Sequence, residues 1–408
     1  MKRTTFYGLR FAALCLLTFV TSTTLGVQQI HVSIDGQLVD TIPGEYVPLD
    51  YPNMPWRGDP AIGISAKGEI YTALYRRIYC STDDGRTWSS TDTSRGLKML
   101  DIGKARGYTS FGVLRDGTLV WAFQQETDVY ITRSSNRGQQ WDTPVKLDRG
   151  SFPQAGGSDN CIIELRDGTL LIPVRLDPWL DDPRNPGQRV TVSQLHPLKQ
   201  IGRGVWKSNP WWTTHVYRSA DAGHIWGERR PLAEWGVETN ILELRSGRLL
   251  AAIRINRPLL PSDSPDKLVK SGAGEGWNVY KTVFLAESTD RGRTWSDPWP
   301  VRHEPDGPNV MAFGDAHGHL VKLSNGTVLL VHDHRYPYID GGVWARVSHD
   351  QGKTWNRRVY QLSRGAGYGA SVVLEDDTIV TVCGNTPLDK TGHPLIPWRA
   401  QSVRWRLP

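Results

Sequence analysis

Ser288-Thr-Asp290-Arg-Gly292-Arg-Thr294-Trp295 is the stretch that decides the fold. Ser and Asp side chains bond nearby backbone N–H groups. Gly takes a left-handed backbone, and Trp supplies a large apolar wedge. Together they specify a tight turn between two strands. The same spelling recurs at Ser81–Trp88, Ser219–Trp226 and Ser348–Trp355, and in degenerate form at Ser134–Trp141. One copy would be a weak signal. Five copies of S-x-D-x-G-x-T-W organise the whole chain.

A second repeat interleaves with the first. It reads as a short apolar run, an Asp-Gly-type turn and a second run. Clear copies turn at Asp116-Gly117, Asp167-Gly168, Ser246-Gly247 and Asn325-Gly326, and looser ones at Lys67-Gly68 and Asp376-Asp377. Each predicts a β-hairpin. Six such hairpins, five of them followed by a hairpin turned by the first motif, describe six four-stranded blades. The expected fold is all-β, a six-bladed β-propeller. The sixth blade lacks the S-x-D-x-G-x-T-W turn. Its missing strand is expected from Gln28–Ile34, laid beside the C-terminal run around Trp405, which would remove a sheet edge.

Composition agrees with that fold. The 408 residues include 17 Trp and 41 Gly but only 4 Met, which favours strands and tight turns over helices. Residues 1–26 read as a secretory signal, with Lys2, Arg3 and Arg10 ahead of an apolar run from Phe11 to Val20. Residues 27–408 are then expected to be one domain, secreted or periplasmic, with no membrane span. Removing three basic residues with the signal lowers the net charge from +6 to +3. That is no footprint for nucleic acid. Cys80, Cys161 and Cys383 remain, too few and too odd in number for a disulfide framework. His332 and His334 alternate along one run without further ligands at metal-site spacing, so neither metal nor cofactor is expected.

The topology sorts residues by face. Both hairpin turns of a blade lie at one face of the disc. Starts of innermost strands, ends of second strands and the loops that follow them lie at the other. Those loops are long in blades 3 and 4. The first, Leu176 to Trp212, carries Trp179, Trp206, Trp211 and Trp212. Residues placed at the second face are Arg57 and Asp59, Tyr108, Asp159, Glu238, Asp315 with His317, and Tyr368 at inner-strand starts. Arg175, Arg254 and Arg335 end second strands. Several Arg with carboxylates and a Tyr are poor core material. The set suits an acidic ligand held by guanidinium forks.

The five-fold turn resembles the Asp-box repeat of the sialidase (neuraminidase) superfamily, and the resemblance covers nearly all of residues 27–408. It implies an exo-acting glycoside hydrolase on a terminal acidic sugar, sialic acid or a relative, of extracellular glycans. A carbohydrate-binding propeller without chemistry is the alternative. The resemblance implies Tyr368, in Gly367-Tyr368-Gly369, as nucleophile. It implies Glu238, in Glu238-Thr-Asn240, as its base. Arg57, Arg254 and Arg335 would clamp the sugar carboxylate. The blade 1 acid of the family has no counterpart, because Tyr75–Cys80 runs straight into Ser81. Asp59, Asp159, Asp315 and His317 are the candidates for it. Asp59 stands with the catalytic residues; Arg175, Asp159 and His317 stand with the substrate-binding ones.

Overall fold

The computed structural model describes residues 30–32, 38–54, 60–74, 77–92, 108–157, 160–181, 185–190, 212–258, 279–312, 314–335, 341–365, 367–387, 389 and 394–408. Among these every regular element is a strand, and no helix is long and apolar enough to cross a membrane. The segment 1–26 lies outside the described residues, as do Arg57, Asp59, Asp159, Trp206 and Trp211.

The strands form six blades. Blade 1 runs Ala61–Ile64, Ile70–Leu74, Arg77–Ser81, Ser89–Asp92 from the axis outward. Blade 2 runs Tyr108–Val113, Leu119–Gln125, Asp128–Ser134, Val145–Lys146. Blade 3 has a broken inner strand, Gln154–Gly157 and Ile163–Glu164, then Leu170–Asp177, Thr213–Ser219 and Gly227–Glu234. Across the break, Asn160–Cys161 pairs in parallel with Ser110 and Phe111 of blade 2. Blade 4 runs Gly236–Glu243, Leu249–Pro258, Val279–Ser288, Trp299–Pro300. Blade 5 runs Ala316–Lys322, Val328–His334, Gly342–Ser348, Arg358–Arg364. Blade 6 runs Gly369–Val373, Ile379–Gly384, Trp398–Trp405, and is completed by Glu45–Met54.

That last strand corrects one expectation. The closing strand is Glu45–Met54, antiparallel to Trp398–Trp405, and not residues 28–34. Ile30–Val32 instead pairs with Leu38–Thr41, which lies parallel to Arg358–Arg364 on the outer edge of blade 5. Closure by an N-terminal strand is right in kind. Its register is set by the chain distance needed to reach the next blade after the edge hairpin.

Second strands such as Leu249-Leu-Ala-Ala-Ile253 are buried on both faces, because each is covered by a neighbouring blade. The core is therefore six inter-blade seams rather than one centre. Phe111, Trp121 and Ile78 join blades 1 and 2. Val120, Ile131, Ile172 and Tyr217 join 2 and 3, and Leu171, Val216, Ile253 and Ala286 join 3 and 4. Leu250, Leu285, Leu330 and Trp355 join 4 and 5, and Val331, Val343, Cys383 and Trp405 join 5 and 6. Ile62, Tyr79, Val380 and Ala400 close 6 onto 1.

The repeated turns dock each blade on the one before it. In the first, Ser81 Oγ accepts from Gly85 N (2.8 Å) and donates to Asp83 Oδ1 (2.8 Å), while Asp83 accepts from Thr87 N (2.9 Å). The same bonds recur at Ser288–Asp290–Gly292 and Ser348–Asp350–Gly352. Gly352 shows why glycine is required. Its φ is +88, and a Cβ there would lie 2.5 Å from Leu250 Cδ2 of blade 4. In blade 1 the indole Nε1 of Trp88 bonds Ser402 Oγ of blade 6 (2.9 Å), which fastens the ring shut.

The Arg of the second repeat has a use that its sequence did not disclose. Arg166 donates to Glu243 Oε1 (3.0 Å) and to the Leu244 and Arg245 carbonyls of the next blade. Arg115 donates its backbone N to Glu164 Oε2 (2.7 Å) and its guanidinium to the Leu165 and Arg166 carbonyls. Turn is thus clasped to turn around the lower face.

Candidate functional site

At the opposite face, inner strands of blades 4 and 5 begin with a register slip. In blade 4, Gly236 pairs Ile255 and Thr239 pairs Ile253, so Val237 and Glu238 together face Arg254. In blade 5, Ala316 pairs Asp333 and His319 pairs Val331, so His317 and Gly318 together face His332. Such bulges re-aim side chains.

The slips gather charge. Arg254 Nη1 is ion-paired to Glu238 Oε1, and Arg254 Nε donates to Asn256 Oδ1 (3.3 Å). Arg335 grips Asp333 Oδ2 through both Nε (3.1 Å) and Nη2 (2.9 Å). Its guanidinium carbon lies 4.8 Å from the centre of the Tyr368 ring. His317 stands edge-on to the same ring at 4.5 Å, with Nδ1 3.8 Å from Glu238 Oε2, an ionic approach longer than a hydrogen bond. Glu238, Arg254, Arg335 and Tyr368 are each at most 9% exposed. The structure thus brings Glu238, Arg254, His317, Arg335 and Tyr368 together, from three consecutive blades.

Burial opposes ionisation of Glu238, but Arg254, His317 and Arg335 outweigh it and hold the carboxyl well below the usual range. Asp333 goes the other way. Burial pushes its carboxyl up against the pull of Arg335. Two neighbouring carboxyls driven apart are a mark of acid–base sites. Glu238 Oε2, Asp333 Oδ1, Asn256 Nδ2 and both His317 nitrogens have no hydrogen-bond partner among the described residues.

Other expected residues lie elsewhere. Asp315 is fully buried behind the site, where His334 Nδ1 meets its Oδ1 at 2.8 Å and Ala312 N donates to Oδ2. Arg175, in blade 3, pairs with Asp177 (3.1 Å), stacks 4.5 Å from the Trp212 ring and lies across Gly156. Arg57, Asp59 and Asp159 lie outside the described residues. Arg254 is 7% exposed, with its partner Glu238 on the adjacent strand of one blade.

Asp333 and Asn256 escaped the sequence reading, although a signal was there. Arg175, Arg254 and Asp333 each stand seven residues after a turn glycine, and Asp177, Asn256 and Arg335 stand nine after. Positions two apart on a strand share a face. Each pair is hydrogen-bonded: R-x-D, R-x-N and D-x-R.

The family model of the BNR repeat-like domain matches residues 117–382. No curated protein matches the chain in sequence. Among solved structures, a Hadza microbial sialidase is similar at TM-score 0.58 and 16% identity, over 90% of this chain and 72% of that one. A Trypanosoma rangeli sialidase in complex with sialic acid is similar at TM-score 0.52 and 13% identity, over 92% of this chain and 56% of that one. A mutant α-L-arabinofuranosidase from Fusarium graminearum, bound to an iminosugar inhibitor, is similar at TM-score 0.54 and 10% identity, over 89% and 97%. At these identities the likeness is one of fold.

Proposed function

Because the chain belongs to the BNR repeat-like domain family, we propose that it is a sialidase-like exo-glycoside hydrolase acting on a terminal acidic sugar, sialic acid or a relative, of extracellular glycans. The observation that carries this reading is the Tyr368 ring. It is covered by the Arg335 guanidinium, flanked by His317, and neighboured by a Glu238 carboxylate held ionised by Arg254. In this reading Tyr368 Oη attacks the anomeric carbon as its proton passes to Glu238. A Tyr nucleophile avoids the repulsion that a carboxylate would feel beside an anionic sugar. Among the described residues, Arg254 Nη2 and Arg335 Nη1 stand outside the ion pairs above, and they would hold the sugar carboxylate with Arg57. Asp59 would protonate the leaving oxygen, a contribution of roughly 10²–10⁴-fold.

Purified protein lacking residues 1–26 should release the aryl group from an aryl sialoside or an aryl uronide, and Tyr368→Phe should abolish release. No turnover of any anionic glycoside sinks the proposal. A second reading has its own observation. Trp179 is 41% exposed on the same face, with its Nε1 already bonded to Ser151 O (3.0 Å), so it offers a fixed apolar ring face. Glycan binding without product release, lost in Trp179→Ala, would favour a binding propeller.

A further inference from the structure

His317 sits where a side chain is costly to keep. Its backbone is left-handed at φ 52, inside the blade 5 slip. Non-glycine residues persist in that region only where the surroundings over-determine them, most often at functional sites. The residue suited to it, Gly318, is next in sequence, yet the left-handed turn falls on the histidine. The ring is fully buried, and among the described residues neither nitrogen has a hydrogen-bond partner, a second penalty.

Topology says what the strain achieves. Blade 5 lies between blades 4 and 6, so only its inner strand can touch the inner strands of both. The slip turns His317 so that its ring meets Tyr368 of blade 6 on edge and its Nδ1 faces Glu238 of blade 4. The oxygen it faces, Oε2, is the one that Arg254 does not hold.

We propose that His317 is a positioning residue that fixes the Tyr368 phenol and the Oε2 atom of Glu238 relative to each other. The proposal rests on the roles given above to those two residues. Arg254 and Glu238 from blade 4, Asp333, Arg335 and His319 from blade 5, and Tyr368 itself are the titratable and charged groups around the ring. Exchanging the imidazole therefore alters the balance that the phenol feels. It leaves Arg254 and Arg335 in their pairs.

The test uses His317→Asn, which tolerates a left-handed backbone, and His317→Gly, which relieves it. Tyr368 titration is read as the ultraviolet difference between each protein and the same protein carrying Tyr368→Phe. Both variants should shift the Tyr368 midpoint by about one pH unit or more. Both should lower kcat on an anionic aryl glycoside at least tenfold with KM within about twofold, and His317→Gly should melt no lower than the parent. An unshifted midpoint with unchanged kcat, or a lowered melting temperature with an unshifted midpoint, overturns the proposal and leaves His317 a packing residue. If the parent turns over no glycoside, the hydrolase reading falls, and the midpoint shift alone decides the place of His317.

Discussion

At the lower face, Asp290 accepts from Thr294 N and Oγ1 and from Ser288 Oγ, in water and with every partner local. At the upper rim, at the other end of the same blade, Glu238 and Arg254 are paired to each other and buried, beside several polar atoms with no partner among the described residues. One end repeats the same local turn in five blades, while the other differs from blade to blade. The difference is what a scaffold with a site should show: repetition where strands need only be turned, and departure where something must be recognised.

Removing one member of the buried pair should have the largest effect. Arg254→Met leaves the buried Glu238 without its ion-pair partner, at a cost of about 3–5 kcal/mol. Replacing both, as Glu238→Leu with Arg254→Met, should recover most of that loss, because two apolar side chains need no partner. Urea unfolding of the parent and the two variants measures both numbers. A double variant no more stable than the single one would mean that the rim is not held together by this pair.

Acid should separate the two faces. Burial lowers His319 to about 3, where Ser371 N donates to its Nδ1, and lowers His332 to about 4. Both are neutral in the fold. An unfolded chain protonates them below its ordinary value of about 6.5. Their contribution to stability therefore falls as pH drops from about 6.5 toward 4, by up to about 1.4 kcal/mol per pH unit for each proton. The turn aspartates behave differently. Thr87 bonds hold Asp83 at about 2, and Thr294 and Ser288 bonds overcome partial burial to hold Asp290 at about 2. Their share is present above about pH 4 and is lost only as pH falls through 2. Hydrogen exchange at pH 5 should open the axis and upper rim before the lower turns. His332→Gln should flatten the slope of stability between pH 6.5 and 4, and an unchanged slope contradicts the assignment.

A single turn should matter less. Ser288→Ala leaves the buried Gly292 N without its acceptor at 2.8 Å, for about 1–3 kcal/mol. Ser81→Ala and Ser348→Ala should cost similar amounts, because their bonds are the same. Thermal melts of the three compare them directly. A spread wider than about 2 kcal/mol would show that the seams, and not the turns, set the difference.

How far the sequence could be read follows the same division. The lower face was legible because its physics is local: Ser, Asp and Gly within five residues make their bonds to one another. Six blades, their order and the placing of Glu238, Arg254, His317, Arg335 and Tyr368 on one face follow from counting those turns. The rim was less legible because its partners are distant in sequence. Nothing near Glu238 announces the slip that turns it onto Arg254, and nothing near His317 announces a left-handed backbone beside a glycine. Asp333 was hidden by attention to Arg335, although alternation put both on one face. The closing strand was misplaced because any apolar N-terminal run satisfies a missing edge. Which one does so depends on the path around blade 5.

The smallest expected effect isolates burial from geometry. Arg335 Nη2 meets Asp333 Oδ2 at 2.9 Å, with side chains 9% and 3% exposed. Arg357 Nη2 meets Glu304 Oε1 at the same 2.9 Å, with side chains 73% and 71% exposed. Coulomb attraction at equal distance differs only through the surrounding dielectric. Water and salt screen the exposed pair, and holding two long side chains in one geometry costs entropy, so such pairs contribute about 0–1 kcal/mol. Arg357→Ala should therefore change stability by less than about 0.5 kcal/mol, and that remnant should vanish in 1 M salt, where the screening length is about 3 Å. Asp333→Asn, at the same separation, should cost several-fold more, because it leaves a buried guanidinium without its counter-charge. If parallel urea titrations gave the two substitutions equal costs, distance rather than burial would govern these pairs, and the contrast between rim and lower face would lose its electrostatic basis.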